Sequence, residues 1–351
     1  MFFNKPIYIA GPCSAESEDQ VMKTASEIIK TPKVSAFRAG LWKPRTRPGS
    51  FEGVGAQGLK WLNKVQSELN IPVATEVANA KHVEMCLEAD IDVLWIGART
   101  TVNPFLCQEI AEALRGTKKP IFVKNPINPD LNLWLGAIER ISSAGIEEIV
   151  GVHRGFSTHR AGNYRNDPIW SIVGELKSKM PNLPIICDPS HICGEREKIL
   201  EISMKATKLG MDGLMIETHI TPEKALSDAD QQITPKTLNE LLNVIDDLNI
   251  TLDNGSNDEI LNVLREEIDL VDRKIASCLI ERFNVVRKIG EHKQKNSMKI
   301  IHTERWQSLV GKLVEQAERN GVSRITVESI YEIIHSHSIQ VQNDIISKSS
   351  T

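Results

Sequence analysis

The segment PIYIAGPCSAESEDQVMKTASEIIK, residues 6–30, decides the fold. A short apolar run leads through a turn into an amphipathic stretch with apolar residues at helical spacing. A strand that feeds a helix is half of a βαβ unit, and its repetition makes a parallel sheet. The turn, GPCSAES (11–17), separates two kinds of parallel sheet. An open dinucleotide-binding sheet places a G-x-G-x-x-G turn there. This turn has a single glycine and a cysteine. The reading is therefore a closed (β/α)8 barrel, with an open doubly wound sheet as runner-up.

The same alternation recurs along the chain. Strands at 7–10, 34–38, 72–76, 93–96, 120–124, 148–153, 185–188 and 213–217 alternate with amphipathic stretches at 18–30, 54–69, 79–89, 103–115, 131–143, 167–180, 195–209 and 235–247. Eight units in about 250 residues is the size of a closed barrel. After Leu248 the pattern stops. Residues 251–258 (TLDNGSND) are polar and turn-rich, a linker. From 259 to 295 runs a charged amphipathic pattern without proline, whose one internal glycine is Gly290; helical segments follow at 304–319 and 324–346. The expected domains are a barrel over 1–250, a linker over 251–258 and an all-α domain over 259–351. A helix of about 36 residues is about 54 Å long, too long for a lone small domain to cover. It implies a homodimer through the helical tail.

Bulk properties exclude several classes. The chain has 351 residues, 41% hydrophobic and 25% charged, with 42 basic and 46 acidic residues. The formal charge of −4 demands neither nucleic acid nor an anionic membrane as partner. No apolar run approaches the roughly 18–20 residues that span a bilayer. The N-terminus lacks the charged, apolar and small-residue order of a signal peptide. Six scattered cysteines, at 13, 86, 107, 187, 193 and 278, make no disulfide framework. The expected compartment is the cytoplasm.

Barrels of this kind build their sites at the C-terminal ends of the strands. The residues there are Cys13, Arg38, Glu76, Arg99, Lys124, Arg154, Asp188 with His191, and Glu217. Every one is chargeable or a metal ligand. The cations Arg38, Lys43, Arg45, Arg99, Lys124 and Arg154 make a site so basic that it needs a polyanionic substrate. Cys13, His191, Glu217 and Asp228 combine thiolate, imidazole and two carboxylates from strand ends that adjoin in a closed barrel. Such a set suits a divalent transition metal. Alone, Cys13 reads as a small buried residue; its companions reverse that weighting. Asp230 competes with Asp228, and Cys193 is a weaker competitor. Cys187 precedes Asp188 on its strand and should point the opposite way. His153 reads as structural as readily as functional, Glu76 as orienting a lysine, and Trp42, Trp61, Trp95 and Trp134 as packing.

The segments GPCSAES (11–17), FRAGLWKPRTRPGSFEG (37–53), IGART (96–100), VKNP (123–126), DPSH (188–191), IETH (216–219) and ALSDADQ (225–231) resemble the type I 3-deoxy-D-arabino-heptulosonate 7-phosphate (DAHP) synthases. KPRT (43–46) is the most specific element, since the related octulosonate 8-phosphate synthases differ there. The resemblance implies condensation of phosphoenolpyruvate with erythrose 4-phosphate at a divalent metal: Mn2+ first, with Co2+, Fe2+ or Zn2+ as alternatives. It implies Cys13, His191, Glu217 and Asp228 as ligands. Arg38 and Lys124 would hold the phosphoenolpyruvate carboxylate, and Arg99 and Arg154 its phosphate. Arg45 and Thr46 would hold the aldehyde's phosphate, and Asp188 joins the substrate-binding set. Lys43 would lie by the reacting atoms; it and His191 are the two candidates to move protons.

The tail resembles an all-helical chorismate mutase over about 258–345, through Arg265 in VLREEID, Arg282 in IERF, Lys293 in GEHK, and Ser338 with Gln342 in HSIQVQ. That reaction rearranges a dianion. It needs carboxylates neutralised and donors on the ether oxygen, supplied by two arginines, a lysine and a glutamine. Arg282 and Lys293 share a helix face, whereas Arg265 lies about 25 Å away along the axis and suits a partner's site. An Asp and a Glu of the resembled pattern fall on His302 and Trp306 here, with Glu304 as a stand-in. The expectation is a two-activity enzyme. The alternative is a synthase whose tail only dimerises and senses a pathway product. Because the barrel starts within a few residues of the N-terminus, the tail is also the expected seat of feedback, with prephenate ahead of chorismate as effector.

Overall fold

The structure is a computed structural model. It describes residues 2–43, 49–158, 163–254, 259–301 and 303–347, with backbone alone at 253–254, 259–263, 303 and 304. Contacts divide the chain into two compact units, Met1–Ser256 and Asn257–Thr351.

Eight strands form the first unit: β1 (Ile7–Gly11), β2 (Ala36–Arg38), β3 (Val73–Val77), β4 (Val93–Ile96), β5 (Ile121–Lys124), β6 (Ile149–His153), β7 (Ile185–Cys187) and β8 (Gly213–Glu217). Each pairs in parallel with the next, and β8 closes on β1 with Ile7 opposite Gly213 and Gly11 opposite Glu217. The expected (β/α)8 barrel is present, every strand within two residues of its expected bounds. The helices are α1 (Glu18–Ile28), α2 (Gln57–Leu69), α3 (Ala80–Glu88), α4 (Ala98–Thr101), α5 (Pro104–Ala113), α6 (Leu131–Ser143), α7 (Trp170–Lys179), α8 (Pro189–Cys193), α9 (Ile199–Lys208) and α10 (Pro235–Asn254). Ser17, Asn79, Asn103 and Asp130 start four of them by accepting first-turn amides. Helix α10 continues through Thr251–Asn254, where the polar composition reads as linker.

Strand alternation explains where the site sits. Inward residues, among them Ile9, Ala36, Ala74, Trp95, Phe122, Val152, Ile186 and Met215, fill the barrel as one cluster. Their neighbours, such as Tyr8, Phe37, Leu94, Val123, Ile185 and Ile216, pack outward among the barrel's apolar side chains. Side chains on a strand repeat every second residue. The inward rows therefore continue upward onto Cys13, Arg38, Glu76, Lys124, Arg154, Asp188 and Glu217. On β4 the next inward position is Gly97. A Cβ there would meet Glu76 Oε1 at 2.2 Å, so the row ends without a side chain and leaves Glu76 its place.

The second unit comprises α11 (Glu259–Lys295), α12 (Thr303–Arg319) and α13 (Arg324–Ser347). Helix α13 packs against both others. Gly290 lets α11 approach α13, since a Cβ there would meet Ile345 Cδ1 at 2.9 Å. Among the described residues, the apolar side chains fully buried in this unit are Val286, Val314 and Val327. Leu264, Ile268, Val271, Ile275, Val285 and Ile289 are exposed along α11. From Leu264 to Ile275 the steps of four and three are coiled-coil spacing, and Cys278 and Arg282 carry the same spacing on to Val285 and Ile289. Among the described residues no helix is long and apolar enough to cross a membrane.

Candidate active sites

The sites begin with the inward rows of the barrel. Cys13, Glu217 and Asp228 bring their ligand atoms within 4.8 Å of one another. Cys13 Sγ donates to Asp228 Oδ2 at 3.3 Å. His191 stands beside this triplet, its Nε2 3.7 Å from Glu217 Oε1 and its Nδ1 2.8 Å from Asp188 Oδ2. Burial, then the Glu217 charge, pushes the Cys13 thiol up to about 12. A thiol, an imidazole and two carboxylates, converging and largely dry, fit a divalent cation that would draw off the thiol proton. Asp230 is exposed, and Cys193 packs in the outer apolar layer, so neither competitor reaches the triplet.

A cationic wall faces this set. Arg38 Nη2 donates to Glu217 Oε1 at 3.1 Å, while its buried Nε and Nη1 find no partner. The Arg38 guanidinium lies 4.8 Å from the Trp95 ring, and Trp95 Nε1 donates to Glu76 Oε2 at 3.0 Å. Trp95 thus supports the charged layer as well as packing. Lys124 Nζ donates to Asp188 Oδ2 at 2.7 Å, and burial holds its pKa below the ordinary value. Burial lowers Arg154 to about 10. Lys43 Nζ donates to the Cys13 carbonyl at 3.1 Å. Burial pulls Lys43 down, but Cys13, Glu217 and Glu76 outweigh it and hold the ammonium above its usual range. Lys43, Glu76, Arg99, Lys124, Arg154, Arg165, His191 and Asp228 line one cavity. A wider groove at the other end of the barrel, lined by Ile138, Met180 and Leu183, holds none of these groups. Arg45 and Thr46 lie outside the described residues.

His153 points away from the cavity into rings of Trp134, Phe156 and Trp170, which bears out its structural reading. Cys187 faces outward as its register requires.

In the helical unit, Arg282 Nη1 donates to Ser338 Oγ at 2.7 Å. Gln342, one turn on, donates to the Ser338 carbonyl at 3.1 Å and is buried with its Oε1 unpaired. Lys293 is engaged by the Ile300 carbonyl at 2.6 Å rather than by the Arg282 cluster. Arg265 is exposed. Trp306 stacks on His335 at 3.9 Å. His302 and the Glu304 side chain lie outside the described residues.

Residues 4–254 match the family model described as DAHP synthetase I family. The chain belongs to the DAHP synthetase I family. Residues 264–343 match the model described as chorismate mutase type II. Together the two domains support a transferase and an isomerase of the shikimate pathway in one DAHP synthetase I chain. The chain is 33% identical to phospho-2-dehydro-3-deoxyheptonate aldolase of Thermotoga maritima over 234 residues, 67% of each chain. It is 31% identical to 2-dehydro-3-deoxyphosphooctonate aldolase of Desulfotalea psychrophila over 264 residues, 67% of this chain and 87% of the relative. The solved Thermotoga maritima aldolase (DAHP synthase) superposes with a TM-score of 0.63 at 31% identity, covering 70% of this chain and 69% of that one.

Three side chains at the DAHP synthetase site escape a reading of strand ends. Gln231 Nε2 donates to Glu217 Oε2 at 2.7 Å, Gln232 Oε1 accepts the Cys13 amide at 3.0 Å, and Arg165 Nη1 reaches Asp228 Oδ1 at 3.2 Å. All three stand on connections beyond the strand ends, where the period of two carries no information. The Asp228–Gln231 spacing in ALSDADQ was the one usable signal.

Proposed function

We propose that the barrel condenses phosphoenolpyruvate with erythrose 4-phosphate at a divalent metal held by Cys13, His191, Glu217 and Asp228, Mn2+ being the favoured ion. The observation that carries this is a buried Arg38 with two unpaired donors beside Lys124, within reach of the convergent thiol and carboxylates. Unpaired buried donors are destabilising unless an anion meets them. The phosphoenolpyruvate carboxylate is such an anion, and its phosphate suits Arg99 and Arg154 on the same cavity. Bound among the four ligands, the cation supplies Lewis-acid polarisation of the aldehyde oxygen. The chain's own groups do the rest. Arg38, Lys124, Arg99 and Arg154 hold the enol carbon facing the aldehyde. Lys43, kept charged by its neighbours, gives a proton to the aldehyde oxygen as the carbon–carbon bond forms; water then adds to the cationic carbon left on phosphoenolpyruvate, returning a proton to Lys43, and the bond to phosphate breaks to release inorganic phosphate. Undiminished condensation in excess chelator would remove the metal from this reading.

In the tail, Arg282, Ser338 and Gln342 form a donor cluster suited to the chorismate carboxylates and ether oxygen, and rearrangement to prephenate follows from holding the substrate compact. The exposed stripe on α11 supports pairing of two chains, with Arg265 crossing to the partner's site. Prephenate bound at this cluster feeds back on the barrel, so condensation assayed with rising prephenate should fall in the full chain and not in a version ending near residue 252. Arg282→Ala should abolish mutase turnover and inhibition together. Real coupling is reciprocal, so phosphoenolpyruvate should change prephenate affinity by the same factor. The six cysteines are unpaired, as suits a cytoplasmic enzyme.

A further inference from the structure

We propose that Arg165 and Arg196 are positioning residues that clamp the loop after β8 and hold Asp228 as a preformed metal ligand; this rests on the divalent-cation reading above. Asp228 occupies the left-handed region at φ 46°, ψ 44°. Asp enters this region more readily than most residues with a Cβ, and contacts around it still decide whether it stays. Two arginines hold the segment, one through side chains and one through the backbone. Arg165 Nη1 donates to Asp228 Oδ1 at 3.2 Å and to Gln231 Oε1 at 2.6 Å. Gln231 passes the connection on through its 2.7 Å bond to Glu217 Oε2. Arg196 grips the backbone just beyond: Nη2 donates to the Ala229 carbonyl at 2.8 Å and Nε to the Asp230 carbonyl at 3.4 Å. Its Nη1 donates to Glu223 Oε1 at 3.0 Å.

The clamp is itself anchored on the segment that carries His191. The Arg165 amide donates to the Cys193 carbonyl at 3.2 Å, and Asn166 Nδ2 donates to the His191 carbonyl at 2.6 Å. Gly194 lies so close that a Cβ on it would stand 2.6 Å from Arg165 Cβ. One stretch, Arg165–Asn166, thus fixes the backbone of His191 and the carboxylate of Asp228. Oxygen Oδ1 of Asp228 is turned to Arg165, and Oδ2 is left facing Cys13 Sγ. Partners behind a ligand tune its orientation and the affinity of the site.

The test is Co2+ binding to the full chain without substrates, followed by the thiolate-to-cobalt absorption of Cys13. Arg165→Gln should weaken Co2+ binding by about 10–100-fold, the range for partners that orient a ligand. Arg165→Lys should recover part of that, and Arg196→Gln should weaken binding as well. The Arg165 side chain is 49% exposed, so its variants should fold, and the melting temperature of the metal-free variants checks this. Unchanged Co2+ affinity in Arg165→Gln, with a raised KM for phosphoenolpyruvate, would make Arg165 a substrate cation and overturn the clamp. A wild-type chain that binds no Co2+ overturns the metal reading beneath it. Wild-type binding matched by both Gln variants overturns the clamp alone.

Discussion

The two units handle charge and apolar surface in opposite ways. In the barrel, Arg38 and Glu217 are 1% and 0% exposed and paired to each other, and the apolar residues lie beneath them. In the helical unit, Ile268 is 61% exposed and Ile333 73%, while Arg265 faces solvent. A barrel closes on itself, so one chain can gather inward side chains from all eight strand ends. Three helices in a hairpin arrangement leave apolar faces bare and need a second surface to cover them. Among the described residues, the barrel gathers its candidate site from its own strand ends, whereas the helical unit leaves an apolar stripe for which a second copy is the proposed cover.

The sharpest break between the units is metal. Chelation should abolish condensation and leave chorismate rearrangement intact, with Mn2+, Co2+ or Fe2+ restoring the first activity. Both rates, measured in one sample across a chelator titration, check it; a parallel loss would erase the distinction. The mirror experiment removes the Arg282–Ser338 contact. Arg282→Ala should lower mutase kcat/KM by about 10²–10³-fold, the effect of losing a donor to developing charge. A change below about threefold would leave the tail with a binding role only.

Association should separate the units next. Ile268→Glu places charge on the exposed stripe and should shift the chain toward monomer in sedimentation. It forfeits burial worth about 1.5–3 kcal/mol per apolar side chain. The helical transition should melt earlier and the barrel transition should stay in place. The smallest effect is an acid sensitivity that the barrel should show more strongly than the helical unit. Burial lowers His153 to about 3. In the unfolded chain it takes a proton near pH 6.5, so the barrel loses stability as pH falls from there toward 3. The slope is about 1.4 kcal/mol per pH unit from this residue. Denaturant unfolding at pH 7 and 5 should show His153→Phe with a shallower dependence than wild type.

What could be read without coordinates follows from periodicity. The barrel strands are continuous apolar runs flanked by amphipathic helices, and the inward rows end on residues a chemist would pick: Cys13, Arg38, Lys124, Asp188, Glu217. A fixed period of two converts sequence position into direction, so these were legible. Arg165 and Arg196 were not: Arg165 stands on the connection between β6 and α7, and Arg196 opens a single 3-10 turn ahead of α9, too short for a period to turn position into direction. Helices α4 and α8 were missed as well. A single turn carries no amphipathic signature, although these two present Arg99 and His191. Helix α10 overran its expected end because Thr251–Asn254 contain neither glycine nor proline to stop it. Gly290, conspicuous as the lone glycine of a long helix, found its reason only in the close approach of α13.

Closure of β8 onto β1 has a consequence for synthesis. Cys13 and Asp228 touch although they lie 215 positions apart in the chain, and Arg38 and Glu217 although 179 apart. Contacts this distant in sequence form late, because the chain between them must be ordered first. A ribosome therefore releases Cys13 with the first barrel unit and Asp228 only after the eighth strand has emerged. Until then the growing chain carries Cys13 apart from Asp228 and Glu217, and the proposed metal cage can be complete only once the barrel is.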